Sequence, residues 1–283
     1  MTSNQTGGKD EPAAIMVQSS TVSVGKRAMT DALPPDSAGV QLLSAAIAPE
    51  LCAQWLQALQ RLQQPQVPGQ PATARTLADL HDAGVLDARA VLKAVVFDGT
   101  AGAALSGRHG LRGDLLCHLG QSWVRHGRPP HSWHQDGALQ FDFTTRARSG
   151  LDTPADALLH MRTCWIALTP CGQDAPGLQW VATPTPALLL PEELTEDAVR
   201  QRYGEASFAH GEMQAGDALL FDGTLLHRTH LRADMTGHRT SLELRFFQAS
   251  AWPSRLRGRE QAFAISQILR HKAAMQAAGA SSN

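Results

Sequence analysis

The sequence lacks three features that would place it in common classes of protein. It has four cysteines in 283 residues and no CxxC pair, so neither a zinc knuckle nor a disulfide scaffold is indicated, and we interpret the cysteines as free thiols. It has no run of about twenty apolar residues, which excludes a transmembrane helix. It also has no excess of charge, since 25 lysines and arginines face 26 aspartates and glutamates. Charge therefore indicates neither a nucleic-acid partner nor an anionic membrane surface.

The first thirty residues lack the apolar core of a secretory signal, so we expect a cytoplasmic protein. Residues 1–38 are polar, rich in Gly, Ser, Thr and Pro, and without periodicity, which predicts a disordered tail. Residues 39–283 are then expected to form one domain. Its parts would be a helical region over 39–113, a β core over 114–248 and a C-terminal helix over 255–279.

Hydrophobic spacing distinguishes the helical parts from the β core. Leu51, Trp55, Leu59 and Leu62 recur at three- and four-residue intervals after Pro49, which predicts an amphipathic helix. A second helical stretch is predicted in "DARAVLKAVVFDGTAGAAL". From about residue 114, short runs such as "MRTCWIALTP" and "DALLFDGTLLHRTH" are separated by Gly and Pro, as is typical of strands.

The β core is interrupted by a single predicted helix, "TEDAVRQRYG", with Thr195 as its N-cap and Gly204 after its last turn. A series of short strands without alternating helices argues against a doubly wound sheet. It favours a mainly β fold, an antiparallel barrel or jelly roll, with flanking helices over one outer face.

The stretch "HSWHQDG" is the first candidate for a functional site. In a β-strand, residues i and i+2 point to the same face, so His134 and Asp136 can offer a nitrogen and a carboxylate oxygen to one cavity. We interpret His131, which follows "RPP", as a loop residue. Taken alone, the HxD pattern is more typical of a histidine that is hydrogen-bonded by a neighbouring acid.

A second candidate segment contains His227 and, twelve residues later, Arg239. On the strand that begins at Arg239, one face carries Arg239, Ser241, Glu243 and Arg245, and the other carries Leu242, Leu244 and Phe246. We expect the apolar face to pack beneath the helices and the polar face to point into the barrel. Arginines in that position are costly unless a carboxylate or phosphate meets them. Glu243 and Arg245 could form an internal pair.

The ordered set His134-x-Asp136, His227 and Arg239-x-Ser241 resembles the iron(II)- and 2-oxoglutarate-dependent oxygenases. "WHQDG", "CWIALTP" and "GDALLFDGTLLH" are most similar to the phytanoyl-CoA dioxygenase (PhyH) family. The resemblance implies a double-stranded β-helix, the cupin-like jelly roll. It also implies that His134, Asp136 and His227 hold Fe(II), since two histidines and one carboxylate form the facial triad of non-heme iron oxygenases.

The same resemblance implies roles for three further residues and a reaction. Arg239 and Ser241 would bind the far carboxylate of 2-oxoglutarate, and Gln121 would lie near this cosubstrate. Dioxygen and 2-oxoglutarate would be consumed, succinate and carbon dioxide released, and an unactivated C–H bond of a small organic molecule hydroxylated. Because Asp136 is present as a ligand, halogenation is not expected. No nucleic acid or membrane partner is expected, and the sequence does not define an oligomeric state.

Alternatives remain for the ligand set and for the function. His230 is a rival distal ligand, although it would leave Arg239 only nine residues away and lie nearer the turn. A catalytically silent jelly-roll protein that binds a metal or small ligand is the second hypothesis, against which Asp136, Arg239 and Ser241 count. A zinc hydrolase that uses the same three ligands to activate water is the third.

Overall fold

The computed structural model describes residues 39–60, 74–106, 115–128, 130–138, 161–185, 187–248 and 262–264. Within these residues, twelve strands are present. They are β1 (Gln41–Leu43), β2 (Ala74–Thr76), β3 (Leu115–His118), β4 (Trp123–Gly127), β5 (His134–Gln135), β6 (Arg162–Ala167), β7 (Gly177–Val181), β8 (Phe208–His210), β9 (Ala218–Asp222), β10 (Leu226–His230), β11 (Arg239–Gln248) and β12 (Ala262–Ala264).

The strands form two antiparallel sheets. The larger, eight-stranded sheet has the order β1-β9-β6-β11-β3-β12, with β4 also paired to β11 and β2 paired to β4. The smaller sheet has the order β5-β10-β7-β8. A buried apolar cluster joins residues of both sheets, including Trp165 and Phe221 from the larger one and Leu178 and Trp180 from the smaller. This two-sheet antiparallel architecture confirms the predicted jelly-roll class.

The helices between residues 49 and 106 cover the outer face of the larger sheet through a second apolar cluster. Leu242, Leu244 and Phe246 of β11 belong to this cluster together with Leu77 and Leu92 from the helices. The helix Glu196–Tyr203 instead packs through Val199 on Val181 and Leu226 of the smaller sheet. The opposite face of β11 carries the buried residues Arg239, Ser241, Glu243 and Arg245, as predicted from the alternating pattern. The alternation thus separates a structural face from a face that borders the interior between the sheets.

Five α-helices lie in the described residues. They are α1 (Pro49–Gln60), α2 (Leu77–Asp82), α3 (Ala88–Lys93), α4 (Ala101–Ser106) and α5 (Glu196–Tyr203), with a π-helical turn over Ala94–Asp98. The Thr195 hydroxyl accepts a hydrogen bond from the Ala198 amide, so Thr195 is the N-cap of α5 as predicted. Gly204 follows the helix with φ 72°, in the left-handed region that favours glycine. No helix of the described residues has both the length and the hydropathy needed to cross a bilayer.

The structure differs from the sequence prediction at two places. The predicted helical region contributes two three-residue strands, β1 and β2, which pair with β9 and β4. Residues 262–264, predicted as part of the C-terminal helix, instead form β12 and pair with β3, so the helix prediction is wrong there. Pairing with an available sheet edge overrides the local helical preference. The predicted tail over 1–38 and the other residues of the predicted C-terminal helix lie outside the described residues.

Candidate metal centre

The two predicted histidine ligands lie on neighbouring strands of the smaller sheet. In the antiparallel pairing of β5 with β10, His134 stands directly opposite His227. Their ring centroids are 4.1 Å apart. His227 is buried, and His134 is partly buried. Residues separated by almost a hundred positions in sequence are therefore brought together by strand register alone.

Hydrogen bonds fix which nitrogen of each imidazole can bind a metal. His134 Nδ1 lies 2.7 Å from the carbonyl oxygen of Ser132, and His227 Nδ1 lies 3.0 Å from that of Leu225. Because a carbonyl oxygen only accepts, each Nδ1 carries the proton and each Nε2 keeps its lone pair. A hydrogen bond of this kind to the non-ligating nitrogen is a regular feature of metal-binding histidines.

Asp136 begins a 3-10 turn (Asp136–Ala138) directly after β5 and is 5% exposed. Thr163 Oγ1 donates to its Oδ2 at 2.8 Å, and Arg245 Nη2 donates to its Oδ1 at 2.8 Å. Burial works against ionisation of this carboxyl. The Arg245 guanidinium outweighs burial, and the pKa of Asp136 lies well below its ordinary value. Asp136 is therefore an anion at neutral pH.

The three side chains offer a donor set that fits a divalent transition metal. One ligand atom from each of His134, Asp136 and His227 lies within 4.8 Å of the other two. Three atoms that bind one face of an ion at about 2.1 Å lie about 3 Å from one another, so the side chains would move closer together when an ion binds. Burial, and then the neighbouring His227, lowers the pKa of His134 to about 3, and burial also lowers that of His227. Two neutral imidazoles and one carboxylate match the facial triad of non-heme iron.

His230, the rival ligand, lies elsewhere. It is buried, and its ring stacks on His210 with centroids 4.2 Å apart. His131 does lie in a loop, as predicted, yet its ring is 3.9 Å from that of His134, and it borders the same cavity. The geometry thus groups His227, and not His230, with the HxD pair.

A cavity of about 140 Å³ opens beside the three candidate ligands. Arg239, Glu243 and Arg125 supply charge to its lining, whereas Trp165 and Phe221 supply apolar surface. Glu243 is only 7% exposed, and its Oε1 accepts a hydrogen bond from Arg125 Nε at 2.8 Å. Its Oε2 lies 3.6 Å from Arg245 Nη2, which is the internal pair that the sequence suggested.

The second predicted cluster supplies hydrogen-bond donors that have no partner among the described residues. Arg239 is 2% exposed, and its Nη1 donates to the Gly177 carbonyl oxygen at 2.6 Å. The guanidinium lies over Trp165, with Cζ 5.6 Å from the ring centroid. Within the part of the chain that the structure describes, Arg239 Nε and the buried Ser241 hydroxyl lack a hydrogen-bond partner. Buried donors without partners are costly, and Arg239 borders the cavity, so its unpartnered nitrogen fits an anionic ligand such as the carboxylate of 2-oxoglutarate. Ser241 is not among the residues that border the cavity, and its contact with 2-oxoglutarate stays a prediction.

Gln121 lies in a 3-10 turn (Leu119–Gln121) between β3 and β4, not on a strand. It is buried, and its carbonyl oxygen accepts a hydrogen bond from Arg245 Nη1 at 2.6 Å. Gln121 is not among the residues that border the cavity. Its contact with 2-oxoglutarate therefore stays a prediction.

Two contributors to the site were not foreseen in these roles. Thr163 was not a candidate, although its position in "RTCWIA", on the same strand face as Trp165, marks it as a polar residue on an inward face. Arg245 was expected only to pair with Glu243, but its shorter contact is with Asp136. Both residues touch the candidate carboxylate ligand.

A double antiparallel sheet whose interior carries two histidines and a carboxylate defines a cupin-like non-heme metalloprotein. The sequence profile of the phytanoyl-CoA dioxygenase (PhyH) family matches residues 36–232, and the chain belongs to this family. It is an iron- and 2-oxoglutarate-dependent oxygenase by class. The matched range includes His134, Asp136 and His227 and ends before Arg239.

Solved structures share the fold at low sequence identity. EctD from S. alaskensis in its apo form has a TM-score of 0.51 and 15% identity, with 78% of this chain and 76% of that chain covered. HygX from Streptomyces hygroscopicus, with nickel and 2-oxoglutarate bound, has a TM-score of 0.51 and 16% identity, with 79% of this chain and 91% of that chain covered. The epimerase SnoN from nogalamycin biosynthesis has a TM-score of 0.50 and 16% identity, with 75% of this chain and 77% of that chain covered. No curated protein matches the chain by sequence.

Proposed function

We propose that this oxygenase hydroxylates an unactivated C–H bond of a small organic molecule. The balanced reaction consumes the substrate, dioxygen and 2-oxoglutarate, and it yields the alcohol, succinate and carbon dioxide. The observation that carries the proposal is one cavity that is bordered both by the triad His134, Asp136 and His227 and by the buried cation Arg239. A metal site alone would not need a buried guanidinium on the cavity wall in addition to Arg245, which pairs with Asp136.

In this proposal the triad holds Fe(II) through His134 Nε2, His227 Nε2 and one oxygen of Asp136. When bound, the iron supplies the activation of dioxygen that couples decarboxylation of 2-oxoglutarate to oxidation of the substrate. With three protein ligands, the ion would keep open positions for the cosubstrate and for dioxygen. Since Asp136 occupies a ligand position, no place is left for a halide, which supports oxygen transfer over halogenation.

The protein's own groups prepare the site for the cosubstrate. Arg239 presents a fixed guanidinium that can bind a carboxylate through two parallel hydrogen bonds, and the Ser241 hydroxyl adds a third donor. The apolar walls at Trp165, Phe221 and Leu178 limit water next to the ligands. Phe221 packs against His227 with ring centroids 5.0 Å apart, which restricts rotation of this imidazole.

The description of one structural neighbour names an outcome other than hydroxylation. SnoN is an alpha-ketoglutarate-dependent epimerase. A catalytically silent metal-binding jelly roll is the alternative that the sequence left open. The buried donors of Arg239 and Ser241 count against it, because a silent protein has no need of them.

The proposal is tested by anaerobic addition of Fe(II) and 2-oxoglutarate, followed by oxygen. We expect a visible charge-transfer band under anaerobic conditions, then oxygen uptake and succinate formation, and one atom of labelled dioxygen in the product of any accepted substrate. His134→Ala should lose the band and the succinate. His210→Ala is the matched control, because this histidine lies outside the cavity lining, and it should keep both.

Failure of the wild type to form succinate would contradict oxygenase activity, as would full activity in His134→Ala. A product that is oxidised without incorporation of oxygen, or inverted at one carbon, would show an outcome other than hydroxylation. Metal analysis adds a further check. Tight zinc with hydrolysis and no oxygen uptake would favour the hydrolase hypothesis.

A further inference from the structure

We propose that Arg245 and Thr163 are positioning residues that hold Asp136 as a single-oxygen ligand of the metal. The inference rests on the proposed function, since it concerns the orientation of the carboxylate in the triad. A carboxylate that bound through both oxygens would take one of the three positions that the cosubstrate and dioxygen need. The two residues thus keep the open side of the site open.

Both oxygens of Asp136 have a protein donor. Oδ1 accepts from Arg245 Nη2 and Oδ2 accepts from Thr163 Oγ1, each at 2.8 Å. The carboxylate cannot turn about its last bond without breaking at least one of these contacts. The protein therefore sets the plane of the carboxylate before a metal binds.

The donors are themselves held in place. Arg245 is 4% exposed, and its Nη1 donates to the Gln121 carbonyl oxygen at 2.6 Å, while its backbone amide donates to Ser122 Oγ at 3.1 Å. Thr163 is 1% exposed and lies on β6, in the middle of the larger sheet. The planar Arg245 guanidinium binds the backbone of Gln121 with one nitrogen and the Asp136 carboxylate with the other. It therefore has little freedom to move.

Charge gives Arg245 a second effect. Asp136 is 5% exposed, and an unpaired carboxylate at such a site is costly. Arg245 compensates this charge before any metal is present, so that the triad can be preformed in the metal-free protein. Thr163 adds no charge, and its hydrogen bond only orients the Asp136 carboxylate. The two residues therefore differ in a way that an experiment can separate.

The test measures metal binding and the ligand spectrum, not turnover. Wild type, Thr163→Val, Thr163→Ser and Arg245→Gln are titrated anaerobically with Co(II), a spectroscopic probe, and with Fe(II) in the presence of 2-oxoglutarate. We expect Thr163→Val to weaken Co(II) binding about tenfold and Arg245→Gln about tenfold to a hundredfold, the usual range for residues behind a metal ligand. Both should shift the absorption bands, and Thr163→Ser should restore them.

Two control variants remove comparable side chains elsewhere. Arg228 lies on β10 next to His227 in sequence, but it bonds to Gln179 and Glu196. Thr240 is buried on β11, and its hydroxyl bonds to His126. Arg228→Gln and Thr240→Val should bind Co(II) with the affinity and the spectrum of wild type.

The outcomes separate this inference from the proposed function. If wild type forms the Fe(II) and 2-oxoglutarate band while folded Thr163→Val keeps both the affinity and the bands of wild type, the inference is overturned and the proposed function stands. If wild type binds no metal, both are overturned. Circular dichroism would show whether Arg245→Gln folds. If it does not, the comparison of Thr163→Val with Thr163→Ser still tests whether a hydroxyl at this position holds Asp136.

Discussion

His134 and His227 face each other across the β5–β10 pair, and each donates its Nδ1 proton to the carbonyl oxygen two residues earlier in its own chain segment. The same hydrogen bond, from the imidazole to the backbone two residues earlier, thus occurs at both histidines. It leaves both Nε2 atoms free to bind a metal and fixes the ring orientation without any ion.

Arg239 is predicted to set the affinity for 2-oxoglutarate. Removing a charge-assisted hydrogen bond costs about 1.5–3 kcal/mol. Arg239→Met should therefore raise the dissociation constant of 2-oxoglutarate by about tenfold to a hundredfold. Arg239→Lys should lose less affinity for 2-oxoglutarate, because lysine keeps the positive charge but cannot donate two parallel hydrogen bonds to a carboxylate. The visible band of the Fe(II) protein, titrated with 2-oxoglutarate, measures both. Unchanged affinity in Arg239→Met would contradict the assignment.

Leu244 tests the packing of the helices on β11. Its side chain is fully buried in the cluster that joins the helices to the larger sheet. We expect Leu244→Ala to lower the free energy of unfolding by about 2–5 kcal/mol, as is usual for such truncations in a core. Leu42, which is 44% exposed, is the control, and Leu42→Ala should change stability by less than about 0.5 kcal/mol. Equal effects in urea denaturation would contradict this account of the core.

Gly216 is predicted to tolerate no side chain. Its φ is +94°, and an added Cβ would come within 2.2 Å of the Ile47 carbonyl oxygen. Gly204 has φ +72° with nothing within 4 Å of such a Cβ, so it isolates the backbone cost from the steric clash. Gly204→Ala should cost about 1–3 kcal/mol and Gly216→Ala clearly more. The order of the two melting temperatures checks this, and a reversed order would be inconsistent with it.

The stability of the metal-free protein should fall as the pH drops from about 6.5 to about 4. Burial, and then the stacked His210, lowers the pKa of His230 from 6.5 to about 4. In this window the unfolded chain takes up a proton that folded His230 does not, so the free energy of unfolding decreases by up to about 1.4 kcal/mol per pH unit from this group. His230→Gln should show a shallower slope in urea denaturation at stepwise pH. An equal slope in both proteins would exclude this role for His230.

The sequence predicted those parts of the molecule that local patterns encode. Alternation along residues 239–246 gave the two faces of β11, and Thr195 and Gly204 gave the limits of α5. Strands β1 and β2 escaped prediction because three residues are too few for an alternation to show. Strand β12 depends on pairing with β3, which local propensity does not encode.

The same limit applies within the site. The three candidate ligands could be named from the sequence because each lies in a recognisable motif. The bonds to Asp136 were not, since Thr163 and Arg245 are 27 and 109 positions away in sequence. Their approach follows from the pairing of β6 with β11, a register that the sequence alone does not set.

If His134, Asp136 and His227 together hold one ferrous ion, anaerobic metal binding has a stoichiometry of one that depends on each of them. Equilibrium dialysis of metal-free wild type, His227→Gln and His230→Gln against Fe(II) compares the proposed ligand with the stacked histidine three positions later. We predict one tightly bound ion per chain in wild type and His230→Gln, and loss of tight binding in His227→Gln. Retention by His227→Gln with loss in His230→Gln would contradict the account.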